Sequence, residues 1–140
     1  MSRSRRRTAV FDHLLGLFEP GRMVDLGTGH GLFAQQAADR GWEVTGVDAR
    51  SERWPDDDRV TWVQADIREH DPAPYDLIAC LGVFYHLTCE DQLALLARAA
   101  GTPVIIDTHL DHGEHAHRAS PNRSPSTTGT RAASTGSPAG

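Results

Sequence analysis

The stretch "MVDLGTGHGLF", residues 23–33, sets three glycines in five positions directly behind a short apolar run. An apolar run that stops on a glycine turn is a strand ending at the rim of a sheet. The "LFAQQAADRG" that follows offers Leu32, Phe33 and Ala37 for a packed helix face, with Gly41 as its stop. Gly27, Gly29 and Gly31 let the backbone turn sharply and approach a ligand with no Cβ in the way. Strand, glycine turn and helix together open a βα unit.

The same alternation continues outward. "WEVTGVD" sets Trp42, Val44 and Gly46 against Glu43 and Thr45 and ends on Asp48. "RVTWVQAD" places Val60 and Trp62 on one face and Thr61 and Val63 on the other. "YDLIACLGVF" is a continuous apolar run, the pattern of a strand buried on both faces, and "PVIIDTH" supplies a fifth strand. "CEDQLALLARAAG" is a helix with Thr88 as N-cap, Leu93, Leu95 and Leu96 as its apolar face and Gly101 as its stop. Upstream, residues 8–18 bring Val10, Phe11, Leu14, Leu15, Leu17 and Phe18 to helical spacing, and Pro20-Gly21 ends that helix. The connection with Pro72 and Pro74 is too short for a long helix. A helix followed by β-α-β-β-β-α-β predicts an α/β fold, a doubly wound, mainly parallel sheet with helices on both faces. Right-handed crossovers favour the strand order 3-2-1-4-5, the first strand central.

Composition bounds the rest. The 140 residues suffice for one domain, and a formal net charge of −5 argues against nucleic acid as a partner. Arg3, Arg5, Arg6 and Arg7 form a basic start that reads as a solvated, frayed terminus. Cys80 and Cys89 form no CxxC pair, which fits a reducing cytosol. No apolar run reaches the length of a membrane span, and Asp12, His13, Gly16 and Glu19 break up any signal-like segment, so a cytoplasmic protein is expected. From Asp111 onward alanine is the only apolar residue. Residues 1–110 are therefore expected to fold, and residues 111–140 to form a disordered, low-complexity tail whose composition resembles a high-GC gene read out of frame. His112 and His115 have an i, i+3 spacing, but no second cluster completes a metal site, and no metal is expected.

The neighbours of the glycine turn narrow its ligand. A dinucleotide fingerprint counted from Gly27 requires a small residue at position 32, where Leu32 stands. A phosphate-binding P-loop requires a Lys-Ser/Thr pair that is absent. A nicotinamide-dependent reductase is thereby reduced to a minor alternative. What remains is a nucleoside cofactor lying along the turn without a phosphate there.

In these segments the sequence resembles the class I S-adenosylmethionine-dependent methyltransferases, which are Rossmann-like. "VDLGTGHG" resembles their first motif, "VTGVD" their second strand, "VQADI" their adenine-contacting segment and "YDLIACLGVFYHL" their fourth strand and its loop. The resemblance covers about residues 22–109 and implies S-adenosyl-L-methionine as cofactor. It implies a cofactor shell of Asp25, Gly27, Thr28, Gly29, Gly31, Asp48, Ala49, Asp66, Ile67 and Leu81. Within it Asp48 accepts both ribose hydroxyls, Asp66 faces the exocyclic amine of adenine and Ile67 packs on the ring. Plainer roles stand beside these: Asp48 as a turn former, and Asp66 as the cap of the short segment after it. Asp25, inside an apolar strand, needs a partner, either the glycine-turn amides or the cofactor's amino group.

Methyl transfer chiefly requires in-line alignment of nucleophile, methyl and sulfur, with a general base only where the acceptor holds its proton tightly. His86 is the candidate base and Tyr85 the candidate orienting group, each with a packing role as the alternative. His30 is placed beside the cofactor rather than in the chemistry. "CLGVFY" departs from the N/D-P-P-Y/F pattern of relatives acting on base or glutamine nitrogens, so a small-molecule acceptor is expected. The N-terminal helix, with Phe11, Leu14 and Phe18, serves either as a lid over that acceptor or as ordinary packing on the sheet. The family's last two strands, an antiparallel hairpin, have no counterpart after His109. The chain therefore reads as C-terminally truncated, with "PVIID" an apolar edge strand through which a homodimer would form. Two functions follow: an active small-molecule methyltransferase, or a cofactor-binding remnant without turnover.

Overall fold

β1 (Arg22–Leu26) occupies the middle of the sheet because both of its edges find a parallel partner. The computed structural model describes residues 1–108. In it β2 (Glu43–Asp48) pairs with one edge of β1 and β4 (Leu77–Leu81) with the other, while β3 (Val60–Gln64) adds to β2 and β5 (Val104–Asp107) to β4. All four ladders are parallel and the order is β3-β2-β1-β4-β5, as the alternation predicts. Among the described residues β5 pairs only with β4.

The two-residue period of a strand divides the core into two clusters. Met23, Val44, Val60, Leu77, Ala79 and Leu81 join Phe11 and Leu15 of α1 (Arg3–Leu15) and Ala34 and Ala37 of α2 (Leu32–Asp39) in one cluster. Val24, Leu26, Val47, Ile78 and Cys80 join Ile67, Phe84 and, from α3 (Cys89–Arg98), Leu95 in the other. β4 is buried at every position, as its unbroken apolar run requires. Asp25 shares its face with Met23, and its ladder neighbours are Gly46 and Ala79, which are small enough to leave room for a carboxylate.

The helices correct the sequence reading in three places. α1 begins at Arg3 and is not frayed: the Ser2 side chain caps it by accepting the Arg5 N–H at 3.3 Å, and it stops at Leu15, before Leu17 and Phe18. Ala34 and Ala37 form the packed face of α2, while Leu32 is exposed and Phe33 is half-buried, edge-on to Phe11 at 5.1 Å. On α3 only Leu95 of the three leucines is buried, with Ala99 one turn on, because that is the pair the helical repeat aligns on one side; Leu93 and Leu96 are exposed. Thr88 does cap α3, accepting the Asp91 N–H at 3.1 Å.

Among the described residues no helix is long and apolar enough to cross a membrane. The expected tail, the domain boundary after residue 110 and the His112/His115 pair fall outside the described residues. Phe11 ties α1 to both α2 and the sheet. Phe11→Ala is expected to lower stability by about 3–5 kcal/mol in urea denaturation followed by circular dichroism, whereas Val10→Ala, on the exposed side of the same helix, should change it by less than about 0.5 kcal/mol.

Candidate functional site

The C-terminal ends of parallel strands are where loops carrying function collect. Here they bring together the glycine turn after β1, Asp48 at the end of β2 with Ala49 after it, Asp66 and Ile67 after β3, and residues 82–86 after β4. The turn is stitched to β2. The N–H groups of Gly27 and Thr28 both donate to the Val47 carbonyl, at 2.8 and 3.0 Å, and Gly29 N–H donates to Asp48 Oδ2 at 2.9 Å. Asp48 Oδ1 accepts the Arg50 N–H at 3.0 Å. Each Asp48 oxygen therefore accepts one backbone donor and retains a lone pair for another.

The three glycines differ in what surrounds them. All have positive φ, 76°, 54° and 77° for Gly27, Gly29 and Gly31, a region other residues rarely enter. A Cβ on Gly27 would lie 2.7 Å from the Val83 side chain, and one on Gly31 would lie 2.6 Å from Trp62 and 2.9 Å from Pro55. A Cβ on Gly29 would meet nothing within 4 Å. Gly27 and Gly31 thus serve close packing, while Gly29 leaves an open space beside the Asp48 carboxylate.

Asp25 and Thr28 are turned inward. The Thr28 hydroxyl donates to Asp25 Oδ2 at 2.8 Å, and both residues are buried. The amides of Gly27, Thr28 and Gly29 go to Val47 and Asp48 and that of Gly31 to the Thr28 carbonyl, so of the two partners expected for Asp25 these amides are not the one it takes. Burial pushes the Asp25 carboxyl up to about 6; the Thr28 hydroxyl opposes the rise and the Asp48 charge adds to it. Burial likewise pushes the Cys80 thiol up to about 12.

Asp66 Oδ1 accepts the Arg68 N–H at 2.9 Å, the Asp66 carbonyl accepts from Glu69 and His70, and the Arg68 guanidinium pairs with the carboxylate. That side-chain bond to Arg68 holds the Asp66 carboxyl down to about 2. Ala65 N–H donates to the Asp48 carbonyl at 3.0 Å, so Asp66 sits one residue from the end of β2. Ile67 and Leu81 are buried in opposite core clusters, while Ala49 and His30 are exposed.

After β4 the chain passes Gly82 at φ 76° into a single 3₁₀ turn, Phe84–His86. Phe84 is buried, and Tyr85 and His86 are exposed with their rings 4.2 Å apart. A cavity of about 370 Å³ opens here, lined by Arg3, Ser4, Arg7, Gly82, Tyr85 and Asp107. Tyr85 is on its wall and His86 is not among the lining residues. Val83, next in the chain to Gly82 of the cavity wall, packs its side chain where a Gly27 Cβ would be.

Sequence reasoning missed Arg3 and Arg7. Arg3, Arg7, Phe11 and Leu15 recur at i, i+4 along one stripe of α1, and that signal was available. The apolar half of the stripe packs on the sheet and the cationic half lines the cavity. Asp107, the last residue of β5, accepts a hydrogen bond from Arg7 Nε.

Asp25 yields a prediction. Its carboxyl titrates near 6 in the folded protein against 3.8 when exposed, so the folded state keeps a proton that the unfolded chain has already released. Its contribution to stability is complete below about pH 4 and is lost as pH rises through 6. Asp25→Asn, which still accepts from Thr28, is expected to gain on the order of 3 kcal/mol relative to wild type between pH 4 and pH 8. Paired urea melts at the two pH values measure this; a constant difference would contradict it.

Known proteins share this fold. A family model described as a methyltransferase domain matches residues 2–131. The ubiquinone biosynthesis O-methyltransferase of Vibrio cholerae is 28% identical over 106 residues, covering 68% of this chain and 42% of that protein. The 1,6-didemethyltoxoflavin-N1-methyltransferase of Burkholderia thailandensis, solved with 1,6-didemethyltoxoflavin and S-adenosylhomocysteine, is 25% identical, with a TM-score of 0.58 over 77% of this chain and 53% of its own. A glycopeptide N-methyltransferase solved with S-adenosyl-L-methionine shares the fold at 20% identity, with a TM-score of 0.62 over 76% of this chain and 56% of its own. This chain thus spans less than half of the curated relative and somewhat over half of the two solved structures. With a sheet order, glycine turn and strand-end carboxylate matching the sequence motifs, and a family match over nearly all its length, the chain belongs to the methyltransferase-domain family.

Proposed function

We propose that this chain binds S-adenosyl-L-methionine along the glycine turn and transfers its methyl group to a small-molecule acceptor held in the cavity beside Tyr85. The observation that carries the reading is the open space at Gly29 beside a carboxylate that retains two lone pairs. Asp48 has the right form to accept two vicinal hydroxyls, and the missing Cβ at Gly29 lets a ligand lie against the backbone. Two relatives of the same fold carry this cofactor or its demethylated product.

When bound, the cofactor supplies a methyl group on a sulfonium, whose positive charge is lost as the methyl leaves. The chain's residues then position and exclude. Asp48 and the Gly29 backbone hold the ribose, with Ala49 and Ile67 beside the adenine. Asp66 meets the adenine amine, sharing its carboxylate with Arg68. Asp25 and Thr28 act through the turn they brace, and Leu81 closes the floor. Tyr85 orients the acceptor, and His86, one ring away, takes its proton where the nucleophile is protonated at neutral pH. Alignment of the reacting atoms supplies most of the acceleration. The edge of β5 that has no partner among the described residues is proposed to pair with a second copy, and sedimentation showing only monomer at assay concentration would contradict that pairing.

Calorimetry with S-adenosylhomocysteine, run beside a labelled methyl-transfer assay, tests the main reading. Binding with transfer supports it, binding without transfer reduces the chain to a cofactor-binding domain, and tight NADH binding without affinity for S-adenosylhomocysteine overturns it. Asp48→Ala removes two charge-assisted contacts and is expected to weaken binding roughly 100-fold. Gly29→Ala should also weaken binding, while costing only about 1 kcal/mol of stability for its backbone conformation. Gly31→Ala should instead lower the melting temperature markedly, because its Cβ meets Trp62 and Pro55. Equal loss of stability in the two glycine variants would remove the distinction.

A further inference from the structure

The cavity after β4 is lined by Arg7 and Asp107 together with Arg3, Ser4, Gly82 and Tyr85. Arg7 is held on three sides: its Nε donates to Asp107 Oδ2, its guanidinium carbon lies 5.2 Å from the centre of the Phe33 ring, and its Nη2 lies 3.1 Å from where a Gly82 Cβ would stand. Among the described residues neither Nη atom of Arg7 has a hydrogen-bond acceptor, although both carry donors in the fixed fork that suits a carboxylate. The N-terminal half of α1 adds its positive dipole end, and Arg5 and Arg6 are exposed on the same half. A cavity of about 370 Å³ lies at the small end of the roughly 300–1,000 Å³ range of ligand pockets.

From these observations we propose that the cavity selects a small organic acid, whose carboxylate binds the Nη edge of Arg7 in competition with Asp107. Describing that acid as the methyl acceptor rests on the function proposed above; the anion site itself does not. In the free protein Asp107 holds the guanidinium in place against Phe33. An incoming carboxylate takes the two Nη donors in bidentate fashion, and Gly82 leaves room for the guanidinium against the chain. Arg5 and Arg6, exposed on the N-terminal half of α1, add positive charge to that half of the helix, an effect that salt screens. Tyr85 lies on the wall as a polar group for the ring or chain of the acid.

Benzoate and benzamide serve as matched probes, of equal shape and different charge, titrated into ¹⁵N-labelled full-length protein. Benzoate is expected to shift the Arg7 Nε–H signal and the Gly82 amide, and benzamide at the same concentration to leave both in place. Arg7→Met should weaken benzoate about tenfold or more while S-adenosylhomocysteine affinity stays within about twofold. Asp107→Asn removes the competing carboxylate and should tighten benzoate severalfold, opposite in sign to the arginine variant. Benzamide binding as well as benzoate, unchanged benzoate affinity in Arg7→Met, or weaker benzoate binding in Asp107→Asn would each overturn the proposal. A protein that binds benzoate through Arg7 yet ignores S-adenosylhomocysteine overturns the cofactor reading and still supports the anion site.

Discussion

The Val47 carbonyl accepts two consecutive amides of the glycine turn, and the neighbouring Asp48 carboxylate accepts a third. These bonds transfer the position of the β2 ladder to a segment with no regular structure of its own. The turn in turn sets where α2 starts, since Gly31 is its left-handed N-cap without a side-chain hydrogen bond, and where Val83 rests, since it packs against Gly27. A shift of β2 by one residue would separate Asp48 from Gly29 and move each of these neighbours. The open space at Gly29 exists because the turn around it is held by the Val47 carbonyl and the Asp48 carboxylate.

α1 is fastened by a different set of contacts. Arg40 binds Asp12 through two hydrogen bonds of 2.6 Å, and Gln36 donates to the Thr8 carbonyl at 2.7 Å, so α1 is tied to α2 along its length. The Arg40–Asp12 pair is about half-exposed and contributes little to stability on its own. Burial of Phe11 and Leu15 does the energetic work, and the polar contacts set the helix's rotation. That rotation carries Arg3 and Arg7 to the cavity.

The architecture was legible because each strand ends at a recognisable residue and because right-handed crossovers leave few strand orders. Helix faces were less legible. Leu93, Leu95 and Leu96 are equally apolar, and only the position of the sheet decides that Leu95 is the buried one. The N-terminal arginines misled for a related reason: a charge run reads as solvated until a cavity and a partner, Asp107, arrive from a strand 100 residues away. Asp48 and the three glycines were readable from spacing, whereas the inward turn of Thr28 onto Asp25 depends on the small neighbours Gly46 and Ala79. Those become neighbours only when three strands are laid side by side.

The Trp62 indole fills more than its own position. Its ring edge occupies the space of a Cβ at Gly31 and also of one at Gly46, stacks on Trp54 at 5.7 Å, and its N–H is held by the Asp57 carbonyl. Positions 31, 46 and 62 therefore behave as one unit of substitution. A side chain gained at either glycine requires a smaller residue at 62, and a tryptophan at 62 forbids both. Sequence drift around this site must proceed by paired replacements, through intermediates that are either overpacked or hollow.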